Sequence, residues 1–240
     1  MLFRSGSREL PYSYSTFASP SCDNHMITTY NYNNKEYFLD ATNSFLSIND
    51  CASFTMGKEV LQAISPTKYK VSKIPVAEPS LTSMFDTTII ELNQRKITGI
   101  SRAEFNGYYN QLLQPVLSGT TQSKLKKQIQ DLIGNKGNNT FFVTRVHHSN
   151  LKNRDTSIVM VYEFEIDDYA TIYDQEIFVN MILDKRISKS EVKKDRTIPM
   201  EFDYKTNDNY HVGLKIPNGY QLKSIPKDVE YTSRSEEHTS

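Results

Sequence analysis

MITTYNYNNKEYFL (residues 26–39) predicts a β-hairpin, and the rest of the fold is interpreted outward from it. Isoleucine, threonine, tyrosine and phenylalanine are enriched on both sides of the pair Asn33-Asn34, and such residues favour strands. Asparagine tolerates a positive φ, so the pair suits a tight two-residue turn. The stretch therefore predicts two antiparallel strands at residues 26–32 and 35–39.

The turn also predicts a register for this hairpin. If Tyr32 lies opposite Lys35, then His25 and Asp40 become diagonal neighbours on one face of the pair. Diagonal positions lie about 7–8 Å apart at Cα, which lets an imidazole reach a carboxylate. We expect this polar pair to point outward, and we expect the other face to be the core side, with Met26, Tyr30, Tyr37 and Leu39.

His25 and Asp40 have two interpretations when only their spacing is considered. A carboxylate that accepts a hydrogen bond from one imidazole nitrogen fixes the tautomer, and the other nitrogen can then act as a base toward a thiol or hydroxyl. The alternative is an exposed histidine at a strand start and an aspartate that caps a strand end. Spacing leaves both open.

The composition is that of a β-rich protein, with fifteen tyrosines, twelve phenylalanines and no tryptophan. Lysine plus arginine equals aspartate plus glutamate at 28 each, so no net field draws the chain to nucleic acid or to an acidic membrane surface. The two cysteines are too few for a disulfide framework or a CxxC zinc site. No apolar run approaches the roughly eighteen residues of a membrane span.

The second part of the chain predicts an antiparallel β-sandwich with one helix. DTTIIELN and KITGISRAEF, around Gln94-Arg95, indicate a second hairpin. Residues 121–133 place leucines and isoleucines on one face at helical spacing, with Gly134 as a stop. Six further runs rich in β-branched and aromatic residues complete the sandwich, namely FFVTRVHH, SIVMVYEFEI, EIFVNMIL, IPMEFDY, YHVGLKIP and a final KSIPKDVEYT.

Two further features define the expected domain boundaries. Residues 1–5 and 234–240 match translations of a sequencing adapter read on its two strands, so we interpret them as adapter-derived and exclude them. The stretch 75–83 carries Pro75 and Pro79 and resembles a linker. We therefore expect one domain at 6–78 and a β-rich domain at 79–233.

DNHMI (23–27) and YFLDAT (37–42) resemble the blocks that hold the catalytic histidine and aspartate of bacterial transglutaminase-like proteins. GKEVLQ (57–62), DTTIIELNQRKITG (86–99), EFNGYYN (104–110) and residues 198–229 resemble the β-rich region that follows the core in large Bacteroidetes-type members. The resemblance implies a mainly β, overall α+β fold, with a remnant of a cysteine-protease-like core sheet before the sandwich. It implies that His25 is the general base and Asp40 its orienting carboxylate.

The family's nucleophilic cysteine has no counterpart in this sequence. In the family it begins a helix upstream of the histidine strand, where its pKa is lowered. Cys22 lies in a Pro-Ser-Cys-Asp loop three residues before His25, and Cys51 follows Asp40. Both depart from the family order, and we interpret both as incidental thiols.

The resemblance implies that the chain is the C-terminal fragment of a thiol enzyme that transfers or hydrolyses the acyl group of a protein or peptide amide. Without the cysteine the chain itself is expected to be inactive, and no cofactor or metal is expected. The alternative is a non-catalytic binding or spacer module of a cell-envelope protein. Export of the parent to the periplasm or envelope fits the family, and the sequence leaves the compartment open.

Other polar groups point to no second site. His147 and His148 are adjacent on a predicted strand, so they face opposite ways and cannot share a metal. Glu163 and Glu165 alternate with apolar residues, as on a solvated strand face. We also expect residues 6–75 to be poorly ordered alone, because a half sheet leaves an unpaired apolar face, while the region from about Met84 folds independently.

Overall fold

The computed structural model describes residues 2–5, 13, 14, 16, 23–119, 121–133, 136–149, 151–184 and 202–230. Within these ranges the protein is mainly β, with twelve strands in three sheets and two α-helices. This confirms the predicted mainly β, overall α+β class.

The first sheet is antiparallel throughout. Its five strands are β1 (Leu2–Ser5), β2 (His25–Tyr32), β3 (Lys35–Leu39), β4 (Glu59–Ser65) and β5 (Lys68–Lys73). Their spatial order is β3-β2-β1-β4-β5, so two hairpins flank the central strand β1. The proposed adapter origin of residues 1–5 stays a prediction, and in this structure residues 2–5 supply that central strand.

The β2–β3 hairpin has the predicted register, but the face that is buried is the opposite of the predicted one. Tyr32 pairs with Lys35, and Asn33 and Asn34 occupy the turn with φ of 48° and 61°. The expectation about its faces was wrong, because Ile27 and Phe38, on the face of His25 and Asp40, are buried. The side chains predicted to face the core are more exposed, with Met26 at 51% and Tyr30 at 52%. The polar pair therefore borders a small apolar core.

The second sheet is mixed, and it is not part of a sandwich in the described residues. Its strands are β6 (Ser83–Asn93), β7 (Lys96–Phe105), β8 (Phe142–His148), β9 (Ile158–Ile166) and β12 (Asn207–Lys215), and a separate small hairpin consists of β10 (Thr171–Tyr173) and β11 (Glu176–Phe178). The order is β12-β6-β7-β9-β8, and β12 runs parallel to β6. The run EIFVNMIL forms only the short β11, and the described end of IPMEFDY, residues 202–204, is not a strand. The described part of KSIPKDVEYT, residues 223–230, is not a strand either.

Helices take the place of a second sandwich layer. They are α1 (Tyr108–Ser118) and α2 (Gln122–Ile133), whereas the sequence predicted only the second. Leucines and isoleucines of both helices share one core with the inward residues of the sheet, among them Leu113, Leu117, Leu125, Ile129, Ile90, Ile158, Met160 and Phe164. Neither described helix combines the length and apolar character that crossing a bilayer requires.

The two parts of the chain contact each other through the loop that follows the first hairpin. The Tyr108 hydroxyl, at the start of α1, donates to the Cys51 carbonyl at 2.5 Å and lies 3.4 Å from Met56 Sδ. Arg154 Nη1 donates to the carbonyl of Ser44 at 2.7 Å. The loop between β3 and β4 is therefore held against the second part, although the predicted linker does separate β5 from β6.

Candidate active site

His25 and Asp40 form a hydrogen-bonded pair at the end of the first hairpin. Nε2 of His25 lies 2.6 Å from Oδ2 of Asp40, and the side chains are 15% and 1% exposed. The hairpin register accounts for this contact, because continuation of the Tyr32 to Lys35 pairing places the two residues diagonally on one face. The structure thus brings together both residues that the sequence selected.

Thr42 fixes the Asp40 carboxylate. Its backbone N–H and its hydroxyl donate to Oδ1 of Asp40 at 2.9 and 2.6 Å, as in an Asx turn, so Oδ2 is left for His25. Burial raises the pKa of Asp40, but the bonds from Thr42 and the contact with His25 outweigh burial and hold this pKa below its ordinary value of 3.8. Asp40 is therefore ionised at neutral pH and acts only as an acceptor.

The imidazole of His25 is oriented from two sides. Because ionised Asp40 can only accept, the proton of the neutral ring lies on Nε2, and Nδ1 keeps its lone pair. Phe54, in the short 3-10 helix Ser53–Thr55, packs edge-to-face on the ring, with centroids 4.9 Å apart and planes at 74°. Within the described ranges, Nδ1 has no hydrogen-bond partner. Nδ1 is therefore the ring nitrogen of His25 that can accept a proton.

Cys51 is placed in an environment that suppresses its reactivity. Burial, and then the nearby charge of Asp50, raise the pKa of the Cys51 thiol to about 11. Its side chain packs against two small apolar clusters, one that contains Ile27 and one that contains Met56 and Tyr108. A thiol of this kind is a poor nucleophile at neutral pH. Cys22 lies outside the described residues.

The remaining polar candidates do not join this site. His147 and His148 are consecutive in β8. Glu163 and Glu165 lie half exposed on the outward face of β9, which confirms the solvated-face prediction, and they pair with Arg145 at 3.0 Å and Lys96 at 2.5 Å. In the ranges that the structure describes, no three histidine, cysteine, aspartate or glutamate side chains converge as metal ligands.

Sequence reasoning missed two residues that shape the pair. Thr42 could have been found, since an aspartate followed two positions later by threonine is a frequent side-chain-to-backbone turn. No local sequence pattern predicts the contact of Phe54 with His25, because this contact depends on the path of the chain through residues 43–52. Both residues act on the orientation of the pair.

Comparisons with known proteins assign no activity to these residues. The family DUF3858, described as a Domain of Unknown Function with solved-structure structure, matches residues 170–237. This match includes β10, β11 and β12 and excludes the hairpin with His25 and Asp40. No curated protein and no solved structure matched the chain.

Proposed function

We propose that His25 and Asp40 are the base and orienting carboxylate of a transglutaminase-like thiol enzyme. The reaction is acyl transfer or hydrolysis at a protein or peptide amide, through a thioester. The 2.6 Å contact between His25 Nε2 and the buried Asp40 supports this proposal most directly. The nucleophilic cysteine belongs to the parent protein, and this chain by itself is inactive.

The geometry suits a base that works through Nδ1. Asp40 holds Nε2–H and stabilises the imidazolium that forms when Nδ1 accepts the proton of a thiol. The same imidazolium can then return that proton to the leaving amine. The serine-protease triad uses the two ring nitrogens the other way round, with the aspartate on Nδ1. A nucleophile for His25 must therefore approach from the Nδ1 side.

The environment of Cys51 argues against its use as this nucleophile. An activated cysteine sits near a cation or a helix N-terminus, which stabilises its thiolate. Burial and the negative charge of Asp50 have the opposite effect on Cys51. This supports an activated cysteine elsewhere in the parent protein.

The test is to extend the chain with the upstream coding sequence of its gene and to follow alkylation of the added cysteine by iodoacetamide across pH. We expect a reactive thiol at neutral pH in the extended protein. His25→Ala should shift that reactivity to the alkaline range of an ordinary thiol. His147→Ala, at an exposed strand histidine, is the matched control and should leave it unchanged. Unchanged reactivity in His25→Ala would exclude the triad.

A second candidate is a non-catalytic binding or spacer module, and one feature of the second sheet favours it. A groove of about 290 Å³ lies on its outward face, lined by Ile89 and Ile100, with charged Glu163, Glu165 and Lys215 around it. The gene decides between the candidates at low cost. Absence of a cysteine in a Gly-x-Cys setting upstream of Gly6 would favour the binding module.

A further inference from the structure

A buried lysine and a buried aspartate meet inside the second part of the chain, apart from the His25 and Asp40 pair. Nζ of Lys136, which follows α2, lies 2.6 Å from Oδ2 of Asp86 in β6. Both side chains are only 4% exposed. A buried ion pair loses most of the hydration energy of both charges, so such a pair is weak evidence for added stability.

The two oxygens of Asp86 have different surroundings. Oδ1 accepts hydrogen bonds from the hydroxyls of Thr88 at 2.7 Å and Ser101 at 2.6 Å. Oδ2 faces Lys136, and the Tyr162 hydroxyl donates to it at 3.3 Å. Two donors on one oxygen polarise the carbonyl, and a phenol on the other can assist its departure.

A second buried carboxyl group stands beside this contact. Asp184 is 4% exposed, and its backbone forms an isolated antiparallel bridge with that of Lys136. Burial, together with the charges of Asp86 and Asp184, raises the pKa of Tyr162 well above its ordinary range, so the phenol keeps its proton. The negative charge of Asp184 therefore acts on the Tyr162 phenol.

We propose that Lys136 and Asp86 are the site of an intramolecular isopeptide bond. Lys136 passes one proton to Oδ2 of Asp86, 2.6 Å away, and the resulting amine attacks Cγ of Asp86. The new Nζ–Cγ bond forms, the Cγ–Oδ2 bond breaks, and Oδ2 leaves as water. Both hydrogen atoms of that water originate from the ammonium group, so the ion pair becomes one neutral amide and one water with no oxidant or cofactor.

The surroundings suit the product as well as the reactants. Oδ1 becomes the amide oxygen and retains its bonds from Thr88 and Ser101. The Thr88 hydroxyl also lies 3.2 Å from Nζ of Lys136, where it can accept from the amide N–H. Burial disfavours charged groups, so it favours the conversion of the two charges into one neutral amide. The bond would join β6 covalently to the segment after α2.

The test is the intact mass of the purified, denatured full chain. We expect a mass lower than the sequence mass by one water, and a proteolytic digest in which the peptides that carry Asp86 and Lys136 are joined. The peptide map distinguishes this bond from dehydration of an aspartate elsewhere. The full sequence mass, or a water loss that maps to another residue, would overturn the proposal.

Variants separate the bond from the fold. Lys136→Met and Asp86→Ala should both have the full sequence mass. Lys223→Met, at an exposed lysine that pairs with Glu176, is the matched control and should still lose one water. If Lys136→Met also loses water, the assignment is wrong, whatever its stability.

Discussion

Replacement of Thr42 by valine should weaken the first sheet at neutral pH and much less in acid. Valine keeps the shape of threonine but removes the hydroxyl that donates to Oδ1 of Asp40 at 2.6 Å. A hydrogen bond to a charged group contributes about 1.5–3 kcal/mol, so we expect a loss of that size in the free energy of unfolding. The backbone N–H of residue 42 still donates, so the carboxylate is not left without a donor.

The pH dependence follows from the lowered pKa of Asp40. Because the folded-state value lies below the ordinary 3.8, ionised Asp40 stabilises the fold above that pH, and this contribution is lost as the pH falls through the folded-state pKa. In Thr42→Val the folded-state pKa moves back toward the unfolded value. The difference between the two proteins should therefore be full at neutral pH and fall to about 1 kcal/mol or less in acid.

Urea unfolding at several pH values measures this difference. Thr87→Val is the matched control, since Thr87 is exposed on the outward face of β6, and it should change stability little at any pH. A loss in Thr42→Val that stays constant from neutral pH to below the ordinary pKa would refute the role of Thr42 in holding an ionised Asp40. A loss no larger than that of Thr87→Val would refute it as well.

Three further outcomes are expected. Gly99→Ala should lower the free energy of unfolding by about 1–3 kcal/mol in the urea assay, because the added Cβ would lie 2.4 Å from Cζ of the buried Phe164. The control Gly213→Ala should be nearly neutral, because its Cβ meets only the end of the exposed Ile89 side chain. Alkylation of Cys51, followed by peptide mapping, should be slow at neutral pH and should accelerate with pH up to about 11, so a plateau near neutral pH would contradict the effect of burial. Tyr108→Phe should speed proteolysis before residue 75 relative to the rest of the chain, because the Cys51 carbonyl loses the hydrogen bond from the Tyr108 hydroxyl. An unchanged ratio of cleavage before and after residue 75 would show that this hydrogen bond does not hold the two parts together.

The sequence predicted the contact between His25 and Asp40, but it did not predict which sheet faces are buried or that helices cover the second sheet. Asn33 and Asn34 fixed the turn, the turn fixed the register, and the register placed His25 beside Asp40. Turn chemistry of this kind is local, so no long-range information was needed. The faces were not predictable in the same way, because both carry bulky apolar side chains, and tyrosine tolerates a surface position.

The helix α1 was missed for identifiable reasons. It begins after Gly107, which supplies no side-chain cap, and it contains Pro115, which ordinarily disfavours a helix interior. Its first residues are tyrosines, which also suit strands. Packing of Leu113 and Leu117 against the second sheet overrides these signals. The contact of Lys136 with Asp86 joins residues fifty positions apart, and its lysine lies in a glycine- and asparagine-rich stretch that gave no sign of burial.

The central place of β1 has a consequence for how the first sheet opens. The β2–β3 and β4–β5 hairpins each pair with β1, and His25 is the residue of β2 opposite Ser5. A four-residue strand offers few hydrogen bonds, so its release would free the β2–β3 hairpin along its whole inner edge. Amide hydrogen exchange in β2 should then occur by local opening, well before exchange in the broad β6–β7 pair, which has ten residue pairs in register. The opening of the backbone around His25 is therefore controlled by β1, the shortest strand of its sheet.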